Sequence, residues 1–118
     1  MKIIIAGSRI LQPTQEDVDT LDSYKHLIKE VVSGCARGID KFGESWAEWN
    51  KIPIKRFPAD WESFGQSAGI KRNKQMAEYA DGLIAFIKNN SSGTKNMIQQ
   101  AEINNLWIRV ISKWVILL

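Results

Sequence analysis

Apolar residues fall into short unbroken runs, separated by stretches in which they return every three or four positions. The runs are residues 2–6 (KIIIA), 30–32, 53–57, 82–87 (GLIAFI) and 107–111. Nearly every position in them is apolar, which predicts strands covered on both faces, as in a parallel sheet. Polar or chain-breaking residues close each run: Gly7 and Ser8, Ser33 and Gly34, Pro58, the stretch from Asn89 to Gly93, and Ser112. The intervening segments read as helices. Residues 40–50 space Phe42, Trp46 and Trp49 along a helix, residues 68–80 carry Met76, Ala77 and Ala80, and residues 93–104 carry Met97, Ile98 and Ala101. The first crossover, residues 13–26, opens with Pro13 and Thr14 ahead of Glu16 and Asp17, a helix start. Strand–helix alternation of this kind predicts an α/β fold with an open, mostly parallel sheet.

The 118 residues suit a single domain spanning 1–118, and 44% apolar with 25% charged is an ordinary globular mixture. One cysteine and one histidine exclude an internal disulfide framework and leave no ligand set for an all-protein zinc cage. A Ser-His-Asp or Cys-His enzyme would have to use His26. The apolar segment 114–118 is far shorter than the roughly 20 residues of a membrane helix. No secretory signal precedes the first strand, so the expected setting is cytoplasmic, with no membrane partner. The net charge of +3 is mildly basic, and its densest run is Lys71, Arg72, Asn73 and Lys74. Such a run suits a phosphorylated small molecule, a nucleic acid or simply a solvated helix face.

Ligands of open α/β sheets bind beyond the strands' carboxyl ends. Three such ends carry small or polar residues: Gly7, Ser8 and Arg9; Ser33, Gly34 and Gly38, running to Asp40; and Asn89 to Thr94, including Ser91, Ser92 and Gly93. Glycines admit a ligand close to the backbone, and the N–H groups of a following helix attract phosphate. Arg72 lies early in its helix, where a cation opposes the dipole unless it serves an anion; Arg9 stands directly at a strand end. Asn73 suits ribose or an amide. Asp40 reads as a helix cap, or, with Glu44 one turn on, as a carboxylate at the cleft edge; a solvated face is the alternative for Glu44. Cys35 reads as a small packing residue, and Trp46 and Trp49 as core or subunit interface. Trp61 ends a strand and enters a loop, where it either stacks on a base or packs locally.

The segments KIIIAGSR, VVSGCARGID, FPADW, AGIKRNKQMAEYADGLIAF and NSSGTKNMI occur in order over residues 1–111. They resemble the short YspA-type branch of the SLOG superfamily, named for the SMF/DprA DNA-processing proteins and the LOG cytokinin-activating phosphoribohydrolases. The resemblance implies a Rossmann-like sheet in the order 3-2-1-4-5 with helices on both faces. It also implies binding of nucleotides or their derivatives, such as ADP-ribose compounds, and assembly into homo-oligomers. In the Arg-Lys-x-x-Met helix motif of the LOG enzymes, Arg72 and Met76 match and Asn73 replaces the lysine. In their Pro-Gly-Gly-x-Gly-Thr-x-x-Glu loop, Gly93 and Thr94 match, but Asn89, Asn90 and Ser91 replace Pro-Gly-Gly and Met97 stands at the glutamate. Methionine cannot move a proton.

The resemblance and this departure together lead to an expected binder of an ADP-ribose-like or cyclic-nucleotide signal, without efficient turnover and without a cofactor. A sensor or a sequestering sponge, such as a phage anti-defence protein acting in the host cytoplasm, fits a chain of this size. The ligand would be held by Arg72, Arg9, Ser92 and Thr94 with the loop N–H groups. A phosphoribohydrolase using Asp40, Glu44 or Asp60 is the alternative. A DprA-like DNA-binding module using Lys71, Arg72 and Lys74 is the second; nucleic acid is the less expected partner. The apolar segment 114–118 adds to the expectation of a dimer or tetramer.

Overall fold

The computed structural model describes residues 1–88 and 91–113. The elements alternate as expected: β1 (Lys2–Gly7), α1 (Gln15–Tyr24), β2 (Glu30–Ser33), α2 (Ile39–Trp49), β3 (Ile54–Arg56), α3 (Trp61–Phe64), α4 (Ala68–Tyr79), β4 (Gly82–Ile87), α5 (Ser92–Ile103) and β5 (Trp107–Ser112). Single 3₁₀ turns, Lys25–Leu27 and Gly65–Ser67, follow α1 and α3. All strand pairings are parallel, in the order β3-β2-β1-β4-β5. The fold is therefore Rossmann-like, as the sequence suggested.

Alternation along the strands divides the core between two faces. Ile3 and Ile5 of β1, Val31 of β2, and Ile84 and Phe86 of β4 pack on one side with Leu21, Ile39, Trp46 and Ala47 of α1 and α2. Ile4, Ala6, Val32, Leu83 and Ala85 point to the other, against Met76, Ala77, Met97 and Ala101 of α4 and α5. Unbroken apolar runs are needed because both faces are covered. The edge strand β3 is shorter than residues 53–57. Pro53 has no N–H, and only its carbonyl pairs with β2, while Phe57 donates to Ser33 O just beyond the strand.

Thr14 caps α1 rather than standing in it. Its hydroxyl accepts from Asp17 N while the Asp17 carboxylate accepts from Thr14 N at 2.9 Å, a reciprocal capping box. Asp17 also pairs with Lys113 past the end of β5. In α2 the buried stripe runs Ile39, Gly43, Trp46 and Ala47. Trp49 lies off that stripe and is 88% exposed, so it is not a core residue. Segment 114–118, which adds to the expectation of an oligomer, and Asn89 and Asn90 lie outside the described residues.

From β1 the chain crosses through α1 to β2 on one side, and from β3 through α4 it crosses back to β4 on the other side of β1. The carboxyl ends of β1 and β4 therefore flank the place where strand order reverses.

Candidate functional site

A cleft of about 1080 Å³ opens at this reversal. The loop after β1, the loop after β2, the α3–α4 segment and the start of α5 form its walls. Of the sequence-predicted residues, Gly7, Ser8, Arg9, Gly34, Asp40, Trp61, Arg72, Asn73, Ser91, Ser92, Gly93 and Thr94 line it. Ser33, Gly38 and Glu44 do not; they lie behind the wall.

Gly38 is N-cap of α2, with φ of +74°. A Cβ there would sit 2.7 Å from the carbonyl oxygens of both Ser8 and Arg9. The glycine thus lets the loop after β1 lie directly on the entry to α2. Asp40 is accordingly not the cap expected of it. It stands in the first turn of α2, buried, with its carboxylate accepting from Ala36 N at 3.1 Å. Burial pushes its pKa up to about 6, against the opposing pull of the Ala36 hydrogen bond and of the Arg72 charge.

Glu44 is neither a solvated face residue nor a cleft-edge carboxylate. It is 5% exposed, accepting from Ser33 Oγ at 2.6 Å and from Arg56 Nε at 3.0 Å. Burial pushes its pKa upward, but these two hydrogen bonds together with the Lys41 and Arg56 charges outweigh burial and hold the carboxyl below its ordinary value. The cluster braces β2, α2 and β3 beneath the cleft floor.

Arg72, half-buried in the second turn of α4, reaches across the cleft. One guanidinium nitrogen, Nη1, donates to Gly34 O, and Nε donates to Asn73 Oδ1 at 3.0 Å. A Cβ on Gly34 would lie 2.8 Å from Arg72 Nη1 and 2.9 Å from Asp40 Oδ2, so the glycine is what lets both charges converge there. Burial lowers the Arg72 pKa, with Asp40 opposing and Arg9 contributing in the same direction as burial. Asn73 is buried and spans the cleft wall: its Nδ2 donates to Gly93 O at 3.3 Å and to Asn96 Oδ1 at 3.0 Å. Across from it, Ser91 Oγ and Thr94 Oγ1 are hydrogen-bonded at 2.9 Å. Ser92 and Gly93 are exposed at the start of α5, whose first turn holds no acid.

Arg37, Lys88, Asn96 and Gly69 also line the cleft and were not singled out from the sequence. Among the described residues, Arg9, Arg37 and Lys88 make no hydrogen bond or ion pair, and Asp40 is the only acid among the lining residues. The cleft is therefore cationic, with uncommitted donors. Cys35 lines it too, with φ of +64°, rather than packing in the core. Burial, reinforced by Glu44, pushes its thiol up, which disfavours the thiolate. Met97, at the position of the LOG glutamate, is 1% exposed and packed in the core. Among the described residues no cluster of histidine, cysteine and carboxylates could hold a metal, and no helix is long and apolar enough to cross a membrane.

The profile of the YspA, cpYpsA-related SLOG family matches residues 1–64. The chain belongs to that family. A relative, the Gene 61 protein of Mycobacterium phage D29, is 32% identical over 110 residues, covering 86% of this chain and 88% of its own length. In fold, this SLOG chain is similar to DNA processing protein A (DprA) from Streptococcus pneumoniae, with a TM-score of 0.78 and 18% identity over 97% of the chain. It spans about half the length of that DprA chain, 51%.

Proposed function

We propose that this SLOG chain binds a phosphate-bearing, nucleotide-derived small molecule, an ADP-ribose-like or cyclic-nucleotide signal, and holds it without efficient turnover. The observation that carries the reading is the charge balance of the cleft: Arg9, Arg37, Arg72 and Lys88 face a single carboxylate, Asp40, that itself resists ionisation. An anion satisfies three cations that have no partner among the described residues. The α5 start adds backbone N–H donors and the Thr94 and Ser92 hydroxyls. Hydrolysis of an N-glycosidic bond calls for a mobile proton near the sugar, and the position of the LOG enzymes' glutamate holds buried Met97. Capture of a host signal, as sensor or sponge, suits a family with a phage-encoded member.

Arg72→Ala is expected to weaken phosphate-ligand affinity at least about tenfold, since each charge-assisted bond is worth roughly 1.5–3 kcal/mol. Mass spectrometry of heat-released, co-purifying molecules identifies the ligand. Incubation with a nucleotide panel then tests turnover, with an intact ligand expected. Product formation abolished by Asp40→Asn would replace this reading with an enzyme, because Asp40 is the cleft acid with a pKa near neutrality. The likeness to a DNA-processing protein and the exposed Lys71 and Lys74 of α4 give DNA as the other outcome, seen as affinity that falls steeply with salt.

A further inference from the structure

The mouth of the cleft is apolar. Ile10, Trp61 and Ile70 line it while remaining 74%, 55% and 54% exposed, and Pro58 and Ala59 lie beside them. Each of these large side chains leaves more than half of its surface in water beside a cationic pocket. They offer a surface to something flat and apolar on one side.

Gly69 fixes how that surface relates to the cations. It sits in the first turn of α4, where alanine would favour the helix more. A Cβ at Gly69 would lie 3.5 Å from Trp61 Cη2 and 3.8 Å from Arg72 Nη2, ordinary van der Waals distances. The backbone does not require glycine here, since Gly69 is not among the positive-φ residues. Its missing side chain instead keeps a gap open, with the indole on one side and the guanidinium on the other. The indole and the guanidinium thus stand on either side of a single residue.

Resting on the phosphate reading above, the geometry points to a base subsite: Trp61 stacks the nucleobase of the ligand over the Gly69 gap while Arg72 holds that nucleotide's phosphate. The ligand class is then a nucleoside 5′-phosphate moiety, free or within a larger molecule, and not a bare sugar phosphate. Tryptophan presents a large rigid face, and every base has a π-face to meet it. Ile10 and Ile70 add apolar surface to the same mouth. None of these apolar groups reads a base's hydrogen-bonding edge, so the slot selects for a base without choosing among bases.

Calorimetry with AMP, ribose 5-phosphate and a short single-stranded oligo-dA separates the possibilities. The parent protein is expected to bind AMP at least about tenfold tighter than ribose 5-phosphate, the gain of roughly one stacked base. Trp61→Ala, at an exposed position, should erase that preference and leave ribose 5-phosphate affinity unchanged. Gly69→Ala should keep it. A preference that survives in Trp61→Ala, or loss of both ligands together, overturns the base subsite. So does equal binding of AMP and ribose 5-phosphate by the parent, although the phosphate reading then stands. Failure of the parent to bind either one overturns the phosphate reading itself. Tighter binding of oligo-dA than of AMP overturns a free nucleotide as the occupant.

Discussion

Asn73 uses both polar atoms of its amide to join three parts of the cleft: Arg72 through Oδ1, and Gly93 O and Asn96 through Nδ2. It reads as a positioning residue that aims the Arg72 guanidinium, where sequence spacing alone suggested a ligand contact. If so, the effects of Asn73→Leu and Arg72→Ala on AMP affinity overlap, and a double-mutant cycle shows coupling of about 1 kcal/mol or more. Strict additivity would assign Asn73 a separate role. Asp40 has a pH signature of its own. Its folded pKa, about 6, lies above its ordinary value of 3.8. The native state thus holds the proton more tightly than the unfolded chain, so stability from this group is present below about pH 4 and is lost as pH rises through 6. Carrying the charge at pH 7.5 costs the fold up to about 3 kcal/mol. Asp40→Asn should stabilise the protein at pH 7.5 and not at pH 4 in urea melts. It should also tighten AMP binding at pH 7.5 relative to pH 5, and comparing parent with variant cancels the phosphate's own titration. Arg72 was legible in the sequence because a cation early in a helix needs a reason. Asn96 was not, since its meaning arises only when α4 and α5 meet, nor was Lys88, which joins the cleft only once the sheet is assembled.

Two glycines with similar backbone dihedrals separate local strain from loop assembly. Gly38 and Gly65 have φ of +74° and +54° with strongly negative ψ, a region essentially reserved for glycine. A Cβ at Gly65 meets no atom within 4 Å, whereas at Gly38 it meets Ser8 O and Arg9 O. Both Gly→Ala changes should destabilise in denaturant titrations, by about 1–3 kcal/mol for the strain alone. Gly38→Ala should cost more and also weaken AMP binding, because the loop carrying Arg9 must move. Equal losses, with binding untouched in both, would show that the contact between the loop after β1 and α2 does not shape the cleft. At this scale the sequence was informative where periodicity had room to develop. Strands covered on both faces stood out as runs, and α2, α4 and α5 as three-to-four-residue repeats. The four-residue α3 has no full period to read, and β3 is half exposed at an edge. Of the two readings of Trp49, core or subunit interface, exposure removes only the core, because helical spacing from Trp46 does not say on which side of the buried stripe a neighbour falls.

Across the whole molecule, the cleft draws on residues from Ala6 to Met97, brought together by crossovers on opposite sides of β1. Strand alternation and motif order made that topology readable, because a reversal of strand order puts the β1 and β4 loops side by side. The expected oligomer leaned largely on segment 114–118, so no described contact speaks to it. A site assembled from loops far apart in the chain links binding to global unfolding. An unfolded chain has no cleft, so a ligand at a hundredfold over its Kd adds about 2.7 kcal/mol of stability, and at tenfold about 1.4 kcal/mol. For a domain near this size, 2.7 kcal/mol corresponds to a Tm rise of several degrees, on the order of 5–15 °C. AMP at a hundredfold over the parent's Kd stands at only about tenfold over that of Arg72→Ala if the arginine contributes its factor of ten. Differential scanning calorimetry at that single AMP concentration should therefore show the variant gaining about half the parent's shift, with both unliganded proteins measured as baselines. Equal shifts would place AMP away from Arg72 and overturn its role as the phosphate's partner.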